Sequence, residues 1–173
     1  GFTLGSGSKT RGKKRDKASK IIFPAIPTKT SRVEENYNSI SIIFRQPFIL
    51  EFRAYNNGFA YRIKGETNQT VAIEKETGIY TFPERSRVWF PQEEKFYSHF
   101  EREYLDTTLS AIQEGAFCSL PMLVKTPQDL YISICDSDVR DYPQMFLEKT
   151  GRNSVQAIFP KAVLETAPTS RPH

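Results

Sequence analysis

The sequence is poor in the residue types that build disulfide scaffolds and zinc sites. It contains two cysteines, Cys118 and Cys135, and two histidines, His99 and His173. Two cysteines are too few for a disulfide framework or a four-cysteine zinc site, and two histidines do not complete such a site. The cysteines could pair with each other across a turn near residues 126–127, or remain reduced inside a core.

The sequence also lacks long apolar runs and the common catalytic motifs. No apolar stretch approaches the roughly 20 residues that span a bilayer, and Gly1 opens no signal-peptide core. We therefore expect a soluble piece of a processed or trimmed protein, without a membrane span. Neither Gly-x-Ser-x-Gly nor a glycine-rich phosphate loop occurs, and the histidines offer few partners for a catalytic triad. No catalytic residues are predicted in this chain.

The positive charge is confined to one end of the chain. The net charge is +4, but residues 1–20 carry seven basic residues and one acidic residue, whereas residues 21–173 have a net charge of −2. We expect a flexible basic Gly/Ser/Lys segment at residues 1–20 and a folded domain at residues 21–173. A DNA-binding domain spreads its basic residues over a folded face, so no nucleic-acid partner is predicted. A basic arm that binds nucleic acid is kept as an alternative function of residues 1–20.

Aromatic residues are abundant and favour strands. There are 13 Phe and 8 Tyr, and apolar residues alternate with polar ones from Ser39 to Tyr55. The residues Asn56, Asn57 and Gly58 suit left-handed backbone angles in a tight hairpin turn, with the return strand at residues 59–64. The pattern predicts an all-β fold, an antiparallel β-sandwich with one or two short helices. Further strands are predicted at residues 70–75, 79–82, 117–125, 130–135, 154–159 and 163–166, and helices at residues 92–104 and 141–146.

Acidic clusters and one tryptophan are the candidate binding residues. The acidic clusters are Glu93 with Glu94, Glu101 with Glu103, and Asp136 with Asp138 and Asp141. Carboxylates two residues apart on a strand face one side, where they could bind a cation or a sugar, or only form a solvated edge. The single tryptophan, Trp89, could stack on a sugar ring or anchor the core.

Six segments, in order, resemble one family of enzymes. They are residues 52–62 (FRAYNNGFAYR), residues 74–83 (EKETGIYTFP), Trp89, residues 100–104 (FEREY), residues 120–123 (LPML) and residues 136–147 (DSDVRDYPQMFL). Together they resemble the amino-terminal domain of glycoside hydrolase family 97, which contains bacterial α-glucosidases and α-galactosidases of the Bacteroides type. The resemblance covers residues 36–165, and the chain is similar to the carboxyl-terminal part of that domain.

The resemblance implies a domain without catalytic residues of its own. In this family the domain is a β-super-sandwich packed against a catalytic (β/α)8 barrel of the same polypeptide. The barrel supplies the two carboxylates that hydrolysis of a glycosidic bond requires. The implied partners are therefore that barrel and a carbohydrate substrate, the isolated chain should be inactive, and the implied location is the periplasm or outside a bacterial cell.

The resemblance also implies a calcium site beside the substrate of the full-length enzyme, to which this domain lends one carboxylate, so that this chain alone should bind calcium weakly or not at all. Glu101 is the implied ligand and Glu103 the second choice, while a solvated loop carboxylate is the alternative. Trp89, Tyr104 and Asp141 are the implied substrate-pocket residues, although residues 141–143 could instead form a turn that holds the sandwich or the contact with the barrel. The other function left open is a free-standing carbohydrate-binding or protein-interaction module, which would use exposed aromatic residues among Trp89, Phe90, Phe96 and Tyr97.

Overall fold

The computed structural model describes residues 4, 5, 7–67, 72–137, 139 and 142–161. Nearly all regular structure among them is β, and every strand pair is antiparallel, which confirms the predicted fold class. The strands are β1 Thr10–Ile22, β2 Val33–Phe44, β3 Phe48–Tyr55, β4 Gly58–Gly65, β5 Ile79–Thr81, β6 Arg87–Phe90, β7 Gln92–Glu93, β8 Leu105–Thr108, β9 Phe117–Cys118, β10 Met122–Lys125, β11 Tyr131–Ile134, β12 Phe146–Thr150 and β13 Ser154–Ile158.

The chain divides into two compact units, residues 1–72 and residues 73–173. The first unit is a four-stranded meander in the order β1-β2-β3-β4. The strand alternation separates its two faces. Ile40 pairs with Phe52 on one face, whereas Glu51 pairs with Arg62 on the other. In β2, β3 and β4 one face is therefore mainly apolar, and the other carries the charged pair of Glu51 and Arg62.

The basic segment at residues 1–20, expected to be flexible, is a strand from Thr10 onward. Strand β1 pairs antiparallel with β2 along its length and forms the edge of the sheet. Alternation distributes its basic side chains over both faces, and lysine on an edge strand discourages pairing with another chain. The strand ends at Ile22, shortly before Pro24, which lacks the amide hydrogen that a sheet ladder requires.

The second unit is a sandwich of two sheets around one core. The four-stranded sheet has the order β11-β10-β6-β8, and the five-stranded sheet has the order β5-β13-β12-β9-β7. Buried apolar side chains from both sheets meet between them, including Val88 and Val124 from one sheet and Leu147 and Val155 from the other. Burial of these residues supplies the main stabilisation of the sandwich.

The hairpin at Asn56 and Asn57 is confirmed, but its backbone differs from the expectation. Tyr55 pairs with Gly58 across a two-residue turn. Neither asparagine has a positive φ, and Gly58 lies outside the left-handed region. Gly58 already belongs to β4, so its pairing with Tyr55 imposes an extended conformation.

The other predicted strands are confirmed in part. The strand predicted at residues 117–125 is interrupted at residues 119–121, where the Leu120–Pro121 peptide bond is cis, and continues as β10. Strands β5, β11 and β13 lie where strands were predicted. Residues 72–75 form no strand, and residues 70–71 and 163–166 lie outside the described residues.

The helix predicted at residues 92–104 is wrong, and none forms at residues 142–146. Residues 92–93 are strand β7, residues 94–104 are a loop, and Phe146 begins β12; Asp141 lies outside the described residues. Within the part of the chain that the structure describes, the helical element is a 3-10 turn at Leu109–Ala111. Phe96 and Phe100 are four residues apart, as on a helix, but they lie on a loop and both rings pack on Phe146.

Both cysteines are unpaired thiols. Cys118 is buried in β9, while Cys135 is exposed after β11, so the alternative of a disulfide between them is excluded. Burial raises the pKa of the Cys118 thiol, which therefore behaves as a core residue. Within the described residues, no helix has the length and apolar character needed to cross a membrane.

Candidate functional site

Three of the predicted site residues lie together on the loop between β7 and β8, residues 94–104. Glu101 is exposed, with 88% of its side chain accessible to solvent. Glu103 and Tyr104 are also exposed. The loop therefore presents two carboxylates and one phenol to solvent, which are oxygen groups that suit a hard cation or a sugar hydroxyl.

An aromatic cluster fixes the loop on the five-stranded sheet. The Phe96 ring lies 5.2 Å from Phe117 and 5.1 Å from Phe146, measured between ring centroids. Phe100 lies 6.0 Å from Phe146. Contacts of this kind add to the stabilisation from burial itself, so the loop is attached at two points along its length.

The backbone beside Glu101 is strained and held by local hydrogen bonds. Phe100 has φ +56°, a left-handed conformation that is costly for a residue with a side chain. The Phe100 amide donates to Ser98 Oγ at 3.0 Å, and the Glu101 amide donates to His99 Nδ1 at 3.0 Å. These bonds replace helical ones, which explains in part why no helix forms here.

The carboxylate of Glu93 lies beneath the loop and is fully buried. Its side chain is 0% exposed and accepts hydrogen bonds from Ser98 Oγ at 2.8 Å, Ser119 Oγ at 3.1 Å and Arg102 Nε at 3.1 Å. Burial raises the pKa of Glu93, but these three bonds and the Arg102 charge lower it more, so the net pKa lies below its ordinary value. Glu93 is therefore ionised and paired.

Trp89 lies on β6, on a different part of the sandwich surface. Its ring stacks on Tyr131 with a centroid distance of 6.2 Å and an interplanar angle of 23°. Arg87 lies 5.4 Å from the centroid of the Trp89 ring and forms an ion pair with Asp106. Trp89 is therefore not the central core anchor that one alternative predicted. The neighbouring Phe90 was a candidate for an exposed aromatic platform, but it is fully buried.

The third acidic cluster is described only in part. Asp141, predicted as a substrate-pocket residue, lies outside the described residues, as does Asp138. The carboxylate of Asp136 accepts a hydrogen bond from the Met145 amide at 3.0 Å. Next to Asp141, the Tyr142 hydroxyl donates to Glu76 Oε2 at 2.5 Å. Both hydrogen bonds join residues of the second unit to one another.

A second polar cluster lies on the charged face of the first unit. Glu51 is buried and accepts hydrogen bonds from Arg53 Nε at 2.9 Å and Arg62 Nε at 3.3 Å. Burial raises the pKa of Glu51, and the two arginines lower it below its ordinary value. Because the groups satisfy one another, this cluster has the character of a structural ion network.

The described residues fit part of a metal site but not a whole one. Calcium takes six to eight oxygen ligands. Among the residues that the structure describes, no three His, Cys, Asp or Glu side chains are grouped to hold a metal ion. Glu101 has the chemistry of one such ligand, since its carboxylate is exposed and its loop is anchored. This arrangement can contribute a ligand to a site completed by other residues.

The fold and the loop define a class of protein, an antiparallel β-sandwich domain that presents carboxylates from an anchored surface loop. Residues 1–168 match the family model described as Glycosyl-hydrolase 97 N-terminal, and the chain belongs to this family. The family match also includes residues 1–35, which lie before the range of residues 36–165 covered by the resemblance.

The chain is similar to part of a curated enzyme. A retaining alpha-galactosidase of Bacteroides thetaiotaomicron is 26% identical over 178 residues, which cover 95% of this chain and 27% of that protein. The chain thus spans about a quarter of the length of this relative. The aligned part covers nearly the whole of this chain.

Solved structures share the fold. A glycoside hydrolase family 97 enzyme from Pseudoalteromonas sp. strain K8, in complex with acarbose, superposes with a TM-score of 0.76 at 18% identity over 88% of this chain and 24% of that chain. A family 97 enzyme from the same strain, in complex with panose, gives a TM-score of 0.72 at 16% identity with the same coverage. At these identities the likeness establishes the fold.

Proposed function

We propose that this chain braces the catalytic barrel of a family 97 glycoside hydrolase and completes a calcium and sugar pocket at the barrel surface. Membership of the amino-terminal family and coverage of about a quarter of a curated α-galactosidase support the first part. The same proposal assigns a carbohydrate substrate and a location in the periplasm or outside a bacterial cell. Catalytic carboxylates are supplied by the barrel, and none is assigned to this chain.

The observation that carries the proposal is the anchored loop that presents Glu101. Its carboxylate is exposed, its neighbour Phe100 is strained, and Glu93 accepts hydrogen bonds from the side chains of Ser98 and Arg102 on the two sides of it. Backbone strain persists where the surroundings fix the conformation, and it is concentrated at binding sites. Glu101 would therefore supply one oxygen ligand to calcium, and Glu103 or Tyr104 would face the same pocket.

A calcium titration of the enzyme that carries this domain tests the proposal. We expect Glu101→Gln to lower the calcium affinity by at least about tenfold, because the neutral amide is a poorer ligand for a hard cation. Glu103→Gln distinguishes the two carboxylates, and Glu94→Gln is the control on the same loop. An unchanged affinity in Glu101→Gln eliminates this residue as a ligand, and a loss confined to Glu103→Gln transfers the role to Glu103.

A carbohydrate-binding module is the second candidate function. The pair of Trp89 and Tyr131 favours it, since stacked aromatic rings at a surface can accept the apolar face of a sugar, and Tyr131 is 54% exposed. Of the other aromatic residues considered, Tyr97 is exposed, while Phe96 belongs to the aromatic cluster under the loop. Glycan binding by the isolated chain separates the two functions, because a domain that only completes a pocket lacks most of that pocket.

A further inference from the structure

Strands β2, β3 and β4 of the first unit share an apolar face that is open to solvent. The strand registers place its side chains in adjacent rows, namely Ile40, Ile42, Leu50, Phe52, Phe59 and Ile63. Phe59 is 72% exposed and Ile63 is 43% exposed. A sheet with one apolar face is stable when a second layer covers that face.

A groove on this face offers a seat for such a layer. It has a volume of about 450 Å³, and the residues that line it include Arg15, Ile40, Phe52 and Phe59. The cores of protein interfaces are apolar and closely packed. The groove therefore suits protruding apolar side chains of an opposing surface.

The two edges of the sheet differ in character. β1 forms one edge, and its alternate residues Lys13, Arg15 and Lys17 lie on the same side of the sheet as the apolar rows. Basic side chains on an edge strand discourage pairing with another chain. β4 forms the other edge and, among the residues that the structure describes, pairs only with β3. The apolar surface thus extends to the β4 edge, and a basic row borders it on the β1 side.

The rest of the same enzyme is the occupant that these features favour. The chain spans about a quarter of the length of the curated relative, so a large part of such an enzyme is tethered to this domain. Tethering raises the local concentration of a partner, which favours contact within one polypeptide over contact with a separate molecule. A basic border is complemented by acidic residues on the surface that covers it.

We propose that the apolar face of β2, β3 and β4 is covered by an apolar surface of the same enzyme outside residues 1–173, with acidic residues facing Lys13, Arg15 and Lys17. This inference rests on the bracing part of the proposed function and assigns a face to that contact. It is independent of calcium and of the loop at residues 94–104.

Thiol labelling of β4 tests the inference in the enzyme that carries this domain. Cys135→Ser removes an exposed native thiol, and Ile63→Cys and Ala60→Cys then place new thiols on opposite faces of one exposed strand. Mass spectrometry of the β4 peptide measures the rate of maleimide labelling. Because burial slows thiol modification, we expect Ile63→Cys to react at least about tenfold more slowly than Ala60→Cys in the enzyme, and within about threefold of it in the isolated chain.

Two results would overturn the inference. Rates within twofold of each other in the enzyme would show that the apolar face is not selectively covered. Slow labelling of Ile63→Cys in the isolated chain would place the occupant within this chain, or in a second copy if the protection grows with protein concentration. Circular dichroism of the isolated chain verifies that its strands are formed.

A charge reversal on β1 tests the acidic border. Arg15→Glu, made in the Ile63→Cys enzyme, should accelerate labelling several-fold, because it places a carboxylate against the acidic residues of the occupant. Lys14→Glu makes the same change of charge one position away on the opposite face and is the matched control. Equal labelling rates in the two variants would refute the acidic border.

Amide hydrogen exchange over the whole domain separates this inference from the proposed function. Slower exchange in the enzyme than in the isolated chain marks the strands that the rest of the enzyme stabilises. Slower exchange in β4 supports the inference, whereas slower exchange confined to other strands refutes it and leaves the bracing role intact. If no strand exchanges more slowly in the enzyme, the bracing role fails and this inference fails with it.

Discussion

Three non-glycine residues in the described chain hold a positive φ, and they differ in what surrounds them. Phe100 lies within the anchored loop, between Ser98 and Arg102, which Glu93 holds. Asp129 occupies a turn in which its amide donates to Thr126 at 3.0 Å, and aspartate tolerates this conformation. Arg85 lies in the turn at residues 83–86 and is exposed. Strain at Phe100 is thus coupled to a candidate site, whereas strain at Arg85 belongs to a simple turn.

Arg85→Gly should stabilise the second unit. Arg85 has φ +63°, which glycine adopts without the steric cost of a Cβ atom. The gain is reduced by the extra freedom of glycine in the unfolded chain, so we expect a net increase of about 0.5–1 kcal/mol in the free energy of unfolding. Urea denaturation followed by the fluorescence of Trp89, which lies in the same unit, measures it.

The neighbouring Glu84→Gly is the matched control for Arg85→Gly. Glu84 has no positive φ and pairs with Arg152 only at the surface, at 3.6 Å. Glycine there should lower stability, because it only adds freedom to the unfolded chain. If both variants destabilise the protein equally, the left-handed conformation of Arg85 is not a source of strain.

Single residues were predictable from the sequence where a motif carried them, and not where distant contacts did. Glu101 was identified through the segment FEREY, and the structure places it exposed on a loop where a helix was predicted. Glu93 was noted only as part of an acidic pair. Its burial depends on Ser119, 26 positions away, and on Arg102, so no local pattern distinguishes it from the exposed Glu94.

At the scale of elements, alternation predicted strands well, and spacing predicted helices badly. The hairpin of β3 and β4 follows from alternate apolar residues and a two-residue turn. Phe96, Phe100 and Tyr104 recur every fourth residue, as on a helix, yet residues 94–104 form a loop. The reason is tertiary, since Phe96 and Phe100 pack on Phe146 and the Ser98 and His99 side chains bind the backbone.

Gly58→Ala should stabilise the hairpin of β3 and β4. Gly58 lies outside the left-handed region, and an added Cβ would meet no atom within 4 Å. Alanine would therefore fit the strand and reduce the freedom of the unfolded chain, for a gain of about 0.4–1 kcal/mol. A left-handed turn, as the Asn-Asn-Gly sequence suggests, predicts the opposite sign. Urea denaturation followed by circular dichroism measures it.

Gly151→Ala is the comparison for Gly58→Ala. Gly151 has φ +57° in the turn between β12 and β13, and an added Cβ would again meet open space. Any loss of stability there comes from the backbone conformation and not from a clash, and we expect about 1 kcal/mol or more. Gly58→Ala that destabilises the protein as much as Gly151→Ala would contradict the observed hairpin geometry.

At the scale of the whole molecule, the sequence predicted the fold class and the family but not the division of the chain. The expected organisation was a basic segment at residues 1–20 followed by one domain. The structure has two units that separate at residues 72 and 73, and β1 belongs to the first of them. Charge and composition do not reveal that a lysine-rich segment pairs along β2, because that pairing depends on the neighbouring strand.

The isolated chain should hydrolyse neither aryl α-glucosides nor aryl α-galactosides. Hydrolysis requires two carboxylates on either side of one glycosidic bond. Glu51 and Glu93 are buried in ion pairs, and Glu101 projects into solvent. Chromogenic substrates, with the enzyme that carries the domain as positive control, measure this. Turnover that remains after repurification would contradict the proposal. If the isolated chain binds glycans and both Trp89→Ala and Tyr131→Ala abolish this binding, a carbohydrate-binding module is favoured instead.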